Sequence, residues 1–280
     1  MSTKPIALTI AGSDSGGGAG IQADIKSMEA NGVFAMSALT AITAQNSEAV
    51  TMSFNLPGQL IAAQIDAVAS DFDLAAAKTG MLSSSMIIET VAAKIDEHGL
   101  FPLVVDPVMI SKSGFKLLED DAIDTLCAQL IPLATVVTPN AHEAAILADQ
   151  PVETVEDAKA AAEAIYTMGP EAVVVKGGHL DDDATVVDVF FDGDRFNILS
   201  APRIDTRNTH GTGCTYASAI AAQLAHGHDL AEAIERAKQY VTEAIRQALP
   251  FGSGHGPTNH FFHLDPDRIA EIHAGSVPAS

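Results

Sequence analysis

Short apolar runs alternate with longer stretches of helical period along nearly the whole chain. The first pair is IALTIAG at residues 6–12 and, after a glycine-rich loop, AGIQADIKSMEANG at 19–32, whose Asn31-Gly32 ending suits a helix C-cap. The alternation recurs as strands AMSALTAITA, LAAAKTG, PLVVDPV, ATVVTP and AVVVKGG, separated by helices QLIAAQIDAVAS, SSMIIETVAAKIDEHG, DDAIDTLCAQLI and the pair AHEAAILA and EDAKAAAEAIYTMG. TVVDVFFDGDRFNILS then predicts a hairpin turning at Asp192-Gly193-Asp194. A helix follows NTHGTGC, a second long one runs through LAEAIERAKQYVTEAIRQAL, and a loop rich in glycine and histidine precedes a short last helix.

Buried strands alternating with helices predict right-handed crossovers, a mostly parallel sheet and helices on both of its faces, an α/β fold. No stretch is both polar and long enough to separate two cores, so residues 1–280 read as a single domain. A globule of this length buries about 75% of its unfolded surface. In open parallel sheets, ligands sit beyond the carboxyl ends of the strands. Asp14, Gln45, Lys78, Asp106, Asn140 and Lys176 all fall there, and their convergence is the main physical hint of a site.

Charge narrows the partners. A formal net charge of −21 and the lack of any basic stripe argue against nucleic acid. It also means that an anionic ligand must be held by local donors, a few lysines and a divalent metal. No apolar run is long enough to span a membrane, and MSTKPIALTI lacks the features of a signal peptide, so a cytoplasmic location is expected. Of the two cysteines, Cys127 lies on the apolar stripe of a helix, which leaves Cys214 expected as a free thiol.

Several motifs have a chemical and an ordinary reading. Gly211, Thr212, Gly213 and Cys214 straddle a helix N-terminus, where unpaired N–H groups and the helix dipole attract anions. The alternative is a glycine-rich loop entering a packed helix, with Cys214 a small buried hydrophobe. Asn140 and Glu143 have the spacing of a capping box, or Glu143 serves a magnesium ion. Asp106 is a turn residue or a ligand, and Lys176 before Gly177-Gly178 a solvated lysine or a phosphate contact. Gly18, Gly20 and Ala23 match G-x-G-x-x-A in letters only: the loop is too long, and the next strand brings no acidic residue for a ribose. The chain contains no Walker A run. His255, His260 and His263 match no zinc spacing and read as an ordinary loop.

Taken together and in order, AGSDSGGGAGIQADIK, TAQNS, KTGML, DPVM, TPNAHEA, VVVKGGH, NTHGTGCT and GHGPTNHF resemble the ribokinase superfamily. Within it the chain is similar to the hydroxymethylpyrimidine and phosphomethylpyrimidine kinases of thiamine biosynthesis, over residues 6 to about 263. The resemblance implies a ribokinase-like three-layer sandwich, ATP and Mg2+ as cofactors, and a small-molecule pyrimidine that is phosphorylated twice. It also implies a homodimer, as is frequent in the superfamily. Carried over residue by residue, it sets the pyrimidine against Gly12, Ala19, Gln45, Met81 and Val108, with Asp24 nearby. It assigns Asp106 and Glu143 to magnesium, Asn140, Lys176 and Thr212 to the nucleotide phosphates, and catalysis to Lys176, the Gly211–Gly213 amides and Cys214. Cys214 stands where many sugar kinases of the superfamily have an aspartate base, and a helix N-terminus is expected to lower its thiol pKa by a unit or more from about 8.5. The rival is a pyridoxal kinase, whose flap after DPVM tends to carry a second cysteine. Here Ser111 occupies that stretch, a departure that favours the pyrimidine.

Overall fold

A computed structural model describes residues 4–112, 114–178, 180 and 184–264. The short helix expected after the final loop lies outside them, as does His179 of VVVKGGH. Strands β1 (Ile6–Asp14), β2 (Phe34–Gln45), β3 (Val50–Asn55), β4 (Ala76–Thr79), β5 (Leu103–Val105), β6 (Val136–Val137), β7 (Val173–Gly177), β8 (Thr185–Phe191) and β9 (Phe196–Pro202) form one sheet in the order β3-β2-β1-β4-β5-β6-β7-β8-β9. All neighbours from β2 through β7 pair in parallel, while β3 and the β8–β9 hairpin add antiparallel strands at the two edges.

The helices are α1 (Gly20–Ala30), α2 (Gly58–Ala69), α3 (Ser85–His98), α4 (Ala122–Thr125), α5 (Ala141–Ala148), α6 (Val155–Tyr166), α7 (Thr212–Ala225) and α8 (Leu230–Arg246). Strand side chains alternate between two cores, as a period of two requires. Leu103, Val105, Val173 and Val175 pack with Ile61, Ile88 and Ile165 from α2, α3 and α6 on one face. Val104 and Val174 pack with Met28, Ile220 and Ile234 from α1, α7 and α8 on the other. The result is the expected three-layer sandwich.

Two local readings are corrected. DDAIDTLCAQLI is not one α-helix: α4 passes into a π turn over Leu126–Leu130 and a 3-10 turn over Ile131–Leu133. Pro132 is the cause, since it has no N–H to donate and its ring crowds the carbonyl four residues earlier. β3 was not foreseen. Its residues are mostly exposed, so VTMSFN shows no buried run.

Candidate active site

The carboxyl ends of β1, β2 and β4–β7 open onto one cleft, roofed by the N-terminus of α7. Gly12, Ala19, Gln45, Met81 and Val108 line it on one side, and Asp106, Asn140, Glu143, Lys176 and the Gly211–Cys214 turn line it on the other. Of the residues that the resemblance assigns to the site, Asp24 alone is absent from this lining. It is fully buried beneath the cleft, where both carboxylate oxygens lie 2.9 Å from Lys78 Nζ. Thr9 and Ser218 donate to the same carboxylate at 2.6 and 2.7 Å. Asp24 is thus the counter-ion of Lys78 and not part of the cleft lining.

A second charged group forms where β5, β6 and β7 end. Lys176 Nζ donates to Asp106 Oδ1 at 2.8 Å, and Thr138 Oγ1 donates to the same oxygen at 3.2 Å. Burial works against the Lys176 charge, but Asp106 and Glu143 hold its pKa above the ordinary lysine value. Asn140 and Glu143 make the complete capping box, Glu143 N to Asn140 Oδ1 at 2.9 Å and Asn140 N to Glu143 Oε2 at 2.8 Å. The cap and the chemistry are compatible, because Glu143 is also buried in the cleft. Burial, with Asp106 adding to it, pushes its carboxyl up to about 7 despite the nearby Lys176. Two buried carboxylates, one of them short of positive charge, fit a hard divalent cation.

The helix end faces this group. No side chain caps α7, whose N-cap Gly211 has φ +76°, a left-handed conformation natural to glycine. A Cβ on Gly211 would lie 1.7 Å from the Gly18 carbonyl oxygen, so the two glycine-rich loops touch backbone to backbone. A Cβ on Gly213 would come within 3.3 Å of Lys176 Nζ and 3.6 Å of Asp106 Oδ2. An unscreened helix N-terminus and a lysine therefore converge on one point, which suits a phosphoryl group.

Comparison with known proteins gives the chain its family. A family model described as phosphomethylpyrimidine kinase matches residues 14–259. The chain belongs to this family. The hydroxymethylpyrimidine/phosphomethylpyrimidine kinase of Bacillus subtilis (strain 168) is 50% identical over 255 residues, 91% of this chain and 94% of that protein. Among solved structures, an ADP complex of Bacillus subtilis pyridoxal kinase has a TM-score of 0.87 at 41% identity, covering 94% of this chain and 100% of that one. Phosphomethylpyrimidine kinase from Clostridium difficile 630 has a TM-score of 0.77 at 43% identity, covering 86% of this chain and 100% of that one.

The thiol departs from expectation. Cys214 is free, as expected, but its pKa is not lowered. Burial, joined by Asp24 and Asp106, pushes it up to about 12, against the opposing pull of Lys78 and the Gly20 N–H. Desolvation of this half-buried thiol outweighs Lys78 and the Gly20 N–H, and the resting thiol holds its proton.

Sequence reasoning gave no role to His210, although it stands beside the GTGC run. Its Nε2 lies 2.9 Å from Asp14 Oδ2, and its partners are 165 and 196 residues away in sequence. Among the described residues no helix is long and apolar enough to cross a membrane.

Proposed function

We propose that this chain uses ATP to phosphorylate 4-amino-5-hydroxymethyl-2-methylpyrimidine, first to the monophosphate and then to the diphosphate, as a kinase of thiamine biosynthesis. The observation that carries the reading is the meeting of the uncapped α7 N-terminus with Lys176 and Asp106, opposite a pocket walled by Gln45 and Met81. The Gly211–Gly213 amides and Lys176 neutralise charge on the phosphoryl group in flight, which is the main catalytic task in phosphoryl transfer. Thr212 and Asn140 flank the phosphates in this arrangement. Asp106 and Glu143 would hold Mg2+, which would supply positive charge to the nucleotide phosphates.

Cys214 is the proposed proton acceptor for the substrate hydroxyl. Because the resting thiol is protonated, its thiolate forms against the cost of burial, helped by the Lys78 cation and the Gly20 N–H. In the second step the acceptor is already a phosphate and needs no such base. A homodimer belongs to the same reading: Ile42 pairs with Phe54 and Ala44 with Met52 on the β2–β3 edge, leaving an exposed apolar face.

The pyridoxal reading is favoured by one observation, the 41% identity to the Bacillus subtilis pyridoxal kinase. Competition between the pyrimidine alcohol and pyridoxal under ATP and Mg2+ separates the two. The proposal expects kcat/KM to favour the pyrimidine by about tenfold or more, equivalent to at least about 1.4 kcal/mol. A preference for pyridoxal would transfer the assignment to the rival substrate.

A further inference from the structure

Two loops far apart in the chain meet over the cleft. The glycine-rich loop after β1 brings Ala19 and Gly20 to its wall, and the turn into α7 brings Gly211 to Cys214. Glycine loses more conformational freedom on ordering than any other residue, so each loop needs fixed partners. Asp14, 2% exposed, supplies them to the first. The N–H of Gly16 donates to Oδ1 at 2.8 Å, and those of Gly18 and Ala19 donate to Oδ2 at 3.0 and 2.8 Å. Burial pushes the Asp14 carboxyl up, but His210 and these loop amides outweigh it and hold its pKa below the ordinary aspartate value.

The second loop reaches the same carboxylate. His210 directly precedes the N-cap Gly211, and its Nε2 lies 2.9 Å from Asp14 Oδ2. An ionised carboxylate can only accept, so the single Nε2 hydrogen is given to Asp14. Gln45 Nε2, 3.3 Å from the same nitrogen, is the longer neighbour. The His210 N–H is itself tied to the Gly256 carbonyl at 3.0 Å. Missing side chains allow this approach: a Cβ on Gly18 would lie 2.4 Å from His210 Cδ2, as one on Gly211 would strike the Gly18 carbonyl. The N–H of Gly20, the first residue of α1, adds a third contact by donating to Cys214.

We propose that the Asp14–His210 hydrogen bond is a clasp that fixes the glycine-rich loop against the α7 turn, making both side chains positioning residues for phosphoryl transfer. This rests on the reading of the first loop as a wall of the pyrimidine pocket and of the second as the cradle of the phosphoryl group. Transfer needs the hydroxyl oxygen set by one loop to face, in line and at about 3 Å, the phosphorus set by the other. A misplacement of about 1 Å between reacting groups costs about a hundredfold in rate. With the clasp released, each loop still meets its own ligand, so the loss falls on kcat and not on KM.

Hydrogen exchange of the unliganded protein tests the clasp, and kinetics test what it does. In His210→Leu the amides of Gly18 and Ala19, and that of Thr215, which donates to the Gly211 carbonyl at 2.9 Å, should exchange about tenfold faster or more. Those of β5 and β7 should stay as in wild type, which also shows that the variant is folded. Its kcat should fall about tenfold to a hundredfold in both phosphorylations, with KM for ATP and for each pyrimidine within about threefold of wild type. His210→Gln, which restores a donor, should recover a good part of both the exchange protection and kcat. Unchanged exchange in folded His210→Leu would overturn the clasp. Faster exchange with kcat unmoved, or a loss confined to KM, would overturn the positioning role. If wild type phosphorylates neither the pyrimidine alcohol nor its monophosphate, the positioning role falls with the functional reading, and exchange alone decides the clasp.

Discussion

At the residue scale, the proposed chemistry turns on a thiol that keeps its proton. A base that must ionise from a pKa of about 12 is scarce at neutral pH, and its active fraction rises tenfold with each pH unit. If Cys214 takes the hydroxyl proton, log kcat for the alcohol step should climb with near-unit slope from pH 7 to 9, while the monophosphate step stays flatter. Cys214→Ser should cost the first step about 10² to 10⁴ and the second much less. Single-turnover measurement of both steps across pH checks this. Equal losses in the two steps, with no pH slope, would mean that the thiol shapes the site without accepting a proton. Cys214 also shows where residue-level reading of a sequence fails. The helix N-terminus is visible in GTGC, but the desolvation and the Asp24 and Asp106 charges that raise the thiol pKa come from elements far away in the chain.

At the scale of elements, Lys78 and Asp24 join β4 to α1, while Ser218 ties the same carboxylate to α7 one turn past Cys214. Both charges are fully buried, so removing one leaves the other without its counter-ion. Lys78→Met should destabilise the protein by about 3–5 kcal/mol, and the double variant Lys78→Met with Asp24→Leu should recover a good part of that loss. Denaturant unfolding of the three proteins measures it, and a double variant no better than the single would refute the pairing account. The strands and most helices were legible because apolar runs and helical periods seldom conflict here. β3 escaped because an edge strand exposed on both faces carries no apolar run, and the π turn escaped because a lone Pro132 perturbs the turn before it. The site was legible as far as each residue sits at a strand's carboxyl end: Asp106, Lys176 and Gln45 meet in one cleft as their positions require. Asp24 was not, since a helix position shows the side chain's face but not whether a lysine on another strand has claimed it. His210 was missed for the same reason, its partners being Asp14 and Gln45 on other strands.

At the scale of the whole molecule, the parallel sheet brings to one edge two sets of groups with separate tasks. The β1 and β2 ends, with the glycine-rich loop, form a hydrogen-bonding wall suited to a small heterocycle. The β5, β6 and β7 ends, with α7, form a charged wall suited to phosphates. The strong negative charge of the chain makes the second wall depend on Lys176, the helix terminus and a divalent cation, and not on long-range attraction. A second phosphorylation in the same cleft follows if the monophosphate product can bind again with its phosphate at the α7 terminus. Both phosphorylations are expected to follow one another at this site, and 31P magnetic resonance of a single reaction follows them. With the pyrimidine alcohol, excess ATP and Mg2+, a phosphomonoester signal should rise and then give way to the paired signals of a diphosphate. Absence of any phosphorylated pyrimidine, or a reaction that halts at the monoester with ATP still present, would contradict it.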